Sequence, residues 1–457
     1  MEAMAFDPVT ACVRFGLGLR PGEAPPASAE AMLARLSGPD EAAARWPLPG
    51  GLPDWGEYAA ASRLRRQGGT EAERQRGAER RQRLLDASRE ARAAQARALV
   101  ARMMGSPDGL RERLALFWAD HFTAVARNVF GGHLIAPFWE EAVRPHVAGR
   151  FGDMLRAAVT HPVMLGYLDQ SRSVGPGSEV GLRRGRGLNE NLARELLELH
   201  TLGVGGPYGQ GDVRQLAELL SGLAVDGQGR AVYQPRRAEP GAETVLGTTF
   251  PAEASLATVE AALDALARHP ATARHIGRKL AAHFVAAEPP EALVEALAAA
   301  FRDTGGDLLA VTAALLARPE AWAPERLKVR PPLEFLVASL RALGTPEEAI
   351  LALGERETRR VLLNPLRTMG QPWQEPSGPD GWPEEPEAWV TPQFNAGRID
   401  WAMNRPEELG DLPDPRELVV AALGPAPPEA VAFAALAAER ASEGVGCVLA
   451  SAAFQRR

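Results

Sequence analysis

A chain of 457 residues with 46% hydrophobic and 24% charged side chains has ample length for a large core and the make-up of a globular protein. Its formal charge of −7 gives no electrostatic reason to expect nucleic acid as partner. Cys12 and Cys447 alone exclude a disulfide framework or a zinc knuckle.

Alanine, leucine, arginine and glutamate dominate and β-branched residues are scarce, so the chain is expected to be mostly α. No apolar run reaches the roughly 18 to 20 residues of a membrane span. The opening MEAMAFDPVTACVRFGLG lacks a basic segment followed by an apolar one, so the expected location is cytoplasmic. The first sixty residues are punctuated by proline and glycine, with one short helix near 28–37. The stretch 63–104 reads as a long arginine-rich helical segment broken at Gly68-Gly69. Its interleaved acids, Glu71 to Glu90, predict a salt-bridged solvated helix. Ser106 and Pro107 resemble an N-cap and a first-turn proline for a helix running to about Val125. Helices are expected near 133–147 and 151–158, and another from His161-Pro162 to YLDQS.

A Gly/Ser/Arg loop, RSVGPGSEVGLRRGRG, then leads into LNENLARELLELHTLG, Leu188 to Gly203. The loop lacks the phosphate-binding pattern of a P-loop, and its Arg183, Arg184 and Arg186 suggest a mobile cover or an anion-binding rim. At 100° per residue the leucines of the following helix share one face with His200, while Glu190, Arg194 and Glu198 line the other. Asn189 reads as the N-cap, Glu190 sits in the first turn, Glu195 lies at the border, and Gly203 is placed to end the helix. Asp212 is expected to cap VRQLAELLSGL. The segment 229–235 and ETVLGTTF are the convincing strand signals and suggest one small hairpin. Helices return from Ser255 to Leu343, then a proline- and tryptophan-rich region, MGQPWQEPSGPDGWPEEPEAWVTPQF, precedes a helical tail.

The same wheel puts His121 of LRERLALFWADHF between Leu110 and Leu114, with Asp120 largely outside the apolar stripe. Two helices thus each bring one imidazole into a core. A buried histidine that hydrogen-bonds a carbonyl needs no function. Inward imidazoles beside Glu195 and the NEN entry would instead suit general acid-base chemistry, or a divalent metal with His121, His200 and Glu195 as candidate ligands. Glu190 and Asp169 would stand at the mouth of such a site, with Asn191 and Arg194 positioning a substrate. Trp373 and Trp382, in a proline-stiffened loop, could stack on that substrate or pin the loop to the helices. Lys279 and His283, four apart, resemble a snorkelling border.

RERLALFWADHF, HPVMLGYLD, LNENLARELLELHTLG, IGRKLAAHFV, RPPLEFLVASLRALG and GQPWQEPSGPDGWP together resemble the bacterial family catalogued as domain of unknown function 1800. The resemblance implies one helical domain over 11–457 after a short extension, 1–10, and implies no particular reaction. It also implies relatives that are often exported and often encoded beside a protein resembling alkaline phosphatases and sulfatases, a candidate partner. Relatives often read FWHNHF, with a second histidine where this chain has Ala119. They often carry a His-Asp pair before KTVLG, and TGW in place of Ser221-Gly222-Leu223. The leading expectation is a hydrolase-like enzyme, with Glu195 or Glu190 as acid-base carboxylate. The alternative is a non-catalytic binding or scaffold protein in which the same residues form a buried polar network.

Overall fold

The computed structural model describes residues 6–51 and 53–457. Helix takes 63% of the chain and strand 4%, which settles the class as mostly α. The arginine-rich stretch forms a helical hairpin, Trp55–Gln67 and Glu71–Gly105, split at the expected glycines. Thr70 and Glu73 cap the second helix reciprocally, at 3.2 and 3.1 Å. Arg74–Glu71, Arg89–Asp86 and Arg80–Glu57 pair along the exposed part. Past Ala93 the helix turns apolar and enters the core.

Three expectations shift. The helix after Ser106-Pro107 is Gly109–His121, capped by Asp108, whose carboxylate accepts the Arg111 N–H at 3.1 Å and pairs with Arg111 Nε at 3.0 Å. Ser106 Oγ accepts the Asp108 N–H instead, so Pro107 stays outside. The stretch near 133–147 becomes one run of changing pitch from Phe130 to His146. Buried Arg144 anchors its end to Glu112 at 2.7 Å and Asp40 at 2.6 Å. The two strand signals form separate antiparallel hairpins instead of one, β1 Leu223–Val225 with β2 Ala231–Tyr233, and β3 Glu243–Val245 with β4 Thr248–Phe250. Leu246 (φ 50°) and Gly247 (φ 77°) supply the two left-handed residues that a two-residue hairpin turn needs, so each strand finds a nearer partner.

Buried apolar side chains fall into two large clusters. The first gathers Leu110, Leu114 and Phe117 with Leu192, Leu196 and Leu197 and with the Pro270–Phe284 helix. The second packs Met103 and Met104 under the Pro332–Ala342 helix and the C-terminal helices. A buried ion network joins them. Glu334 Oε2 lies 2.8 Å from Arg113 and 2.8 Å from Arg457, and all three are almost wholly buried. The two guanidiniums overcome burial and hold the Glu334 carboxyl down at about 2. Removing the carboxylate strands two buried cations, so Glu334→Gln is expected to cost about 3–5 kcal/mol in urea unfolding. Arg80→Ala, which breaks an exposed pair, should stay within about 1 kcal/mol.

Candidate functional site

The LNENLARELLELHTLG segment forms a helix that changes pitch part-way. Asn191–Glu195 is α-helical and Leu196–Thr201 is a π turn, with the Leu202 N–H bonding Leu197 O at 2.9 Å. The helix begins one residue later than expected: Glu190, not Asn189, is the N-cap and makes no side-chain cap bond, while Asn189 Oδ1 accepts the Asn191 N–H at 2.9 Å just ahead of the first turn, and the Asn191 residue is exposed. Arg194 bridges Glu190 at 3.4 Å and Glu198 at 3.5 Å, while Gln210 contacts both Arg194 and Glu190. Gly203 ends the helix at φ 89°, where an added Cβ would lie 2.9 Å from the His275 ring.

The other end of this helix explains the inward histidines. His275 Nε2 donates to Leu199 O at 3.0 Å and His121 Nε2 to His200 O at 3.2 Å. Two imidazoles therefore satisfy carbonyls that a helix terminus leaves open. The His121 ring centroid is 6.0 Å from that of His200 and 6.3 Å from that of His275. The two helices do meet, with His275 as an added member. Burial first, then the Lys279 ammonium and the neighbouring rings, push His200 down to about 3 and His275 to about 4, and His121 well below its usual value. All three are neutral near pH 7. Among the described residues no group of three or more His, Cys, Asp or Glu is placed to share an ion.

The concavity lies on the other side of His121, at Asp120. A cavity of ≈ 90 Å³, room for several waters, opens between the Gly109–His121 helix and the Pro/Trp loop. Phe117, Trp139, Trp373 and Trp382 give it aromatic walls; Asp120, His283, Glu384 and Gln374 supply polar ones. The loop reaches Asp120 from 262 residues further along the chain, donating the Trp382 N–H to Oδ1 at 2.9 Å. Gly381 (φ 84°) makes that approach possible, since a Cβ there would lie 2.6 Å from Oδ1.

Burial pushes the Asp120 carboxyl up to about 7, against the opposing pull of Lys279 and the Trp382 N–H; Glu384 and Asp380 add to the rise. Lys279 is held below its ordinary value by burial, with Asp120, Glu384 and Asp380 opposing. Asp380 also acts on Glu195, whose carboxyl is raised by burial and Glu198, and on Tyr167. The charge of Asp380, an exposed carboxylate of the loop, is thus felt at Asp120, Lys279, Glu195 and Tyr167. Beneath it, Glu384 takes His283 Nδ1 at 2.6 Å and Lys328 Nζ at 2.6 Å. His283 Nε2, Trp373 Nε1 and both polar atoms of the Gln374 amide have no hydrogen-bond partner. Gln374 also holds φ at 57°, a strained value for a residue with a side chain. Strain and unpaired polar groups at one cavity wall mark a place that packing alone does not account for.

Of the residues singled out from sequence, Trp373 and Trp382 line the cavity, whereas Glu195 does not and is linked to it only through the charge of Asp380. His121 and His200 lie behind it in the core. Glu190 and Arg194 belong to the surface ladder. Asp169, at φ 59°, is clamped by Arg127, both of its oxygens at 2.6 Å. His283 is not part of a snorkelling border, because the loop covers it: it is 7% exposed and bound to Glu384, while Lys279 beside it is half-buried. Sequence patterning does not single out Asp120, His275 or Glu384 as site residues. The signal it does hold is His275, Lys279 and His283 at intervals of four along one helix, a polar stripe with no reason to face water.

Residues 10–456 match the family described as "Protein of unknown function (DUF1800)". The chain belongs to the DUF1800 family. No curated protein and no solved structure matches it. Among the described residues of this DUF1800 protein no helix is long and apolar enough to cross a membrane.

The buried groups dictate opposite pH responses. His200 and His275 resist protonation when folded but accept it near 6.5 when unfolded, so their contribution is present above pH 6.5 and lost as pH falls toward about 3–4. His200→Gln should make that acid decline in unfolding free energy shallower. Asp120 has the reverse sign. Its folded value of about 7 exceeds the ordinary 3.8, so stability is greatest below 3.8 and is lost as pH rises through 7. Asp120→Asn should therefore raise the melting temperature at pH 8 and leave it nearly unchanged near pH 4.

Proposed function

We propose that this DUF1800 protein is a hydrolase-like enzyme working by general acid-base catalysis at the cavity lined by Asp120 and the Pro/Trp loop. The observation that carries the reading is the Asp120 carboxyl, pushed to about 7 at a cavity wall, fixed by the Trp382 N–H and facing Lys279. A carboxyl poised near neutrality can give up and regain a proton during turnover. The partly desolvated Lys279 ammonium would stabilise negative charge developing on a substrate oxygen. Glu195, raised by burial and by Glu198, would draw a proton from water. Trp373 and Trp382 would hold the substrate against the aromatic wall.

The scaffold reading has its own support: His121 and His275 are hydrogen-bonded to carbonyls, as structural histidines are. A panel of nitrophenyl esters, phosphates, sulfates and glycosides, with peptides alongside, separates the two. Turnover is expected with one class, and Asp120→Asn and Glu195→Gln should each lower kcat by about 10²-fold or more with unchanged circular dichroism. Turnover indifferent to both substitutions, or none across the panel, favours the scaffold. Mass spectrometry of copurifying small molecules narrows the class.

A further inference from the structure

The arginine loop does not splay into solvent. Ser178 caps a short helix, Glu179–Arg184, accepting the Gly181 N–H at 3.1 Å. Gly185 then turns the chain through φ 59° and Arg186 follows. Facing it is the turn Pro235–Arg237. A backbone bond from Gly175 N–H to Arg237 O at 2.8 Å stitches the two segments together, and one from Val174 N–H to Gly187 O at 3.1 Å closes the arginine loop on itself. Arg183, Arg184, Arg186, Arg236 and Arg237 line the resulting open groove of ≈ 460 Å³, with Tyr233 in its wall.

Five guanidiniums converge here on a chain whose net charge is −7. Glu179 is the carboxylate that reaches them, and it is shared between Arg236 (2.7 Å) and Arg183 (4.0 Å). Arg184 and Arg186 have no ion-pair partner among the described residues. Arg237 is fixed by neutral groups, donating to Ser171 O at 2.8 Å and Ser173 O at 2.7 Å, while its Nε is buried without a partner. Its guanidinium is therefore positioned without being neutralised. Burial, then repulsion from Arg186 and Arg184, hold its pKa below the ordinary value. Like charges gathered around a concavity, one of them clamped, are costly for an empty surface and suited to an anionic occupant.

We propose that this groove binds a ligand carrying two or more phosphate- or sulfate-type oxyanions. Guanidinium forks match such oxyanions two bonds at a time, and three unneutralised forks exceed what a lone monoanion can use. The groove volume falls in the range of small-molecule sites. The assignment is independent of the acid-base reading of Asp120.

Calorimetry with the full chain and tripolyphosphate tests it. Binding is expected at low ionic strength and should weaken at least about tenfold at raised salt. Arg184→Ala combined with Arg186→Ala should weaken it at least about tenfold with an unchanged melt, since both side chains are exposed and unpaired. Arg274→Ala, a surface arginine paired with Glu291 at 2.5 Å, should leave it intact. Vesicles containing phosphatidylinositol bisphosphate, whose headgroup carries more than one phosphate, supply the same chemistry in a second form. Binding of free tripolyphosphate identifies a soluble oligoanion. Capture by vesicles alone, lost in the double variant, assigns the groove to a lipid headgroup. Binding to neither probe, or binding that survives the double variant, overturns the proposal.

Discussion

Glu334 is the point on which the rest of the molecule rests. It is one carboxylate, nearly free of water, within 2.8 Å of two guanidiniums that come from distant parts of the chain. Arg113 belongs to a helix of one apolar cluster and Glu334 to a helix of the other, so the pair sets how the clusters meet. The second carboxylate, Glu384, repeats the arrangement with His283 and Lys328, and in doing so ties down the Pro/Trp loop. Ion pairs in such surroundings add little net stability compared with apolar packing, but an alternative arrangement that leaves one charge unmatched is heavily disfavoured. The network thus selects the position of the loop, and the loop makes the cavity.

One short helix distributes these constraints. Along Gly109–His121, Arg113 enters the ion network, Phe117 lines the cavity, Asp120 receives the loop, and His121 closes the end of the Asn191–Thr201 segment. Two neighbouring residues serve opposite purposes. His121 is neutral and sealed in, whereas Asp120 stands at a wall where its proton is loosely held near pH 7. Lys279 lies between the two environments. Its charge adds to burial in keeping the imidazoles unprotonated and also restrains the rise of the Asp120 carboxyl.

What the sequence makes legible is local. The glycine break of the helical hairpin, the Glu190–Arg194–Glu198 ladder and the Gly203 stop all follow from short-range rules, and the structure has them. The inward direction of His121 and His200 also follows from helical periodicity. Their partners do not, because a π turn moves the carbonyls of Leu199 and His200 to where His275 and His121 can reach them. Asp120 is the larger omission. Its helix wheel puts it outside the apolar stripe, and that is correct for the helix alone. It is the chain 262 residues later that covers it, and no local pattern announces such a cover. His283 escapes sequence reasoning for the same cause. Paired strands follow the turn chemistry at Leu246-Gly247 more closely than their own β signals.

The contact between the loop and Asp120 has a consequence for how this region tolerates change. The loop recognises the carboxylate with a backbone N–H, not with a side chain. The identity of residue 382 can therefore vary without loss of that bond, provided it is not proline. Residue 381 has no such latitude, because any Cβ there would collide with the carboxylate. A hydrogen bond made by the main chain thus frees one position of the loop and leaves its neighbour a single permitted amino acid.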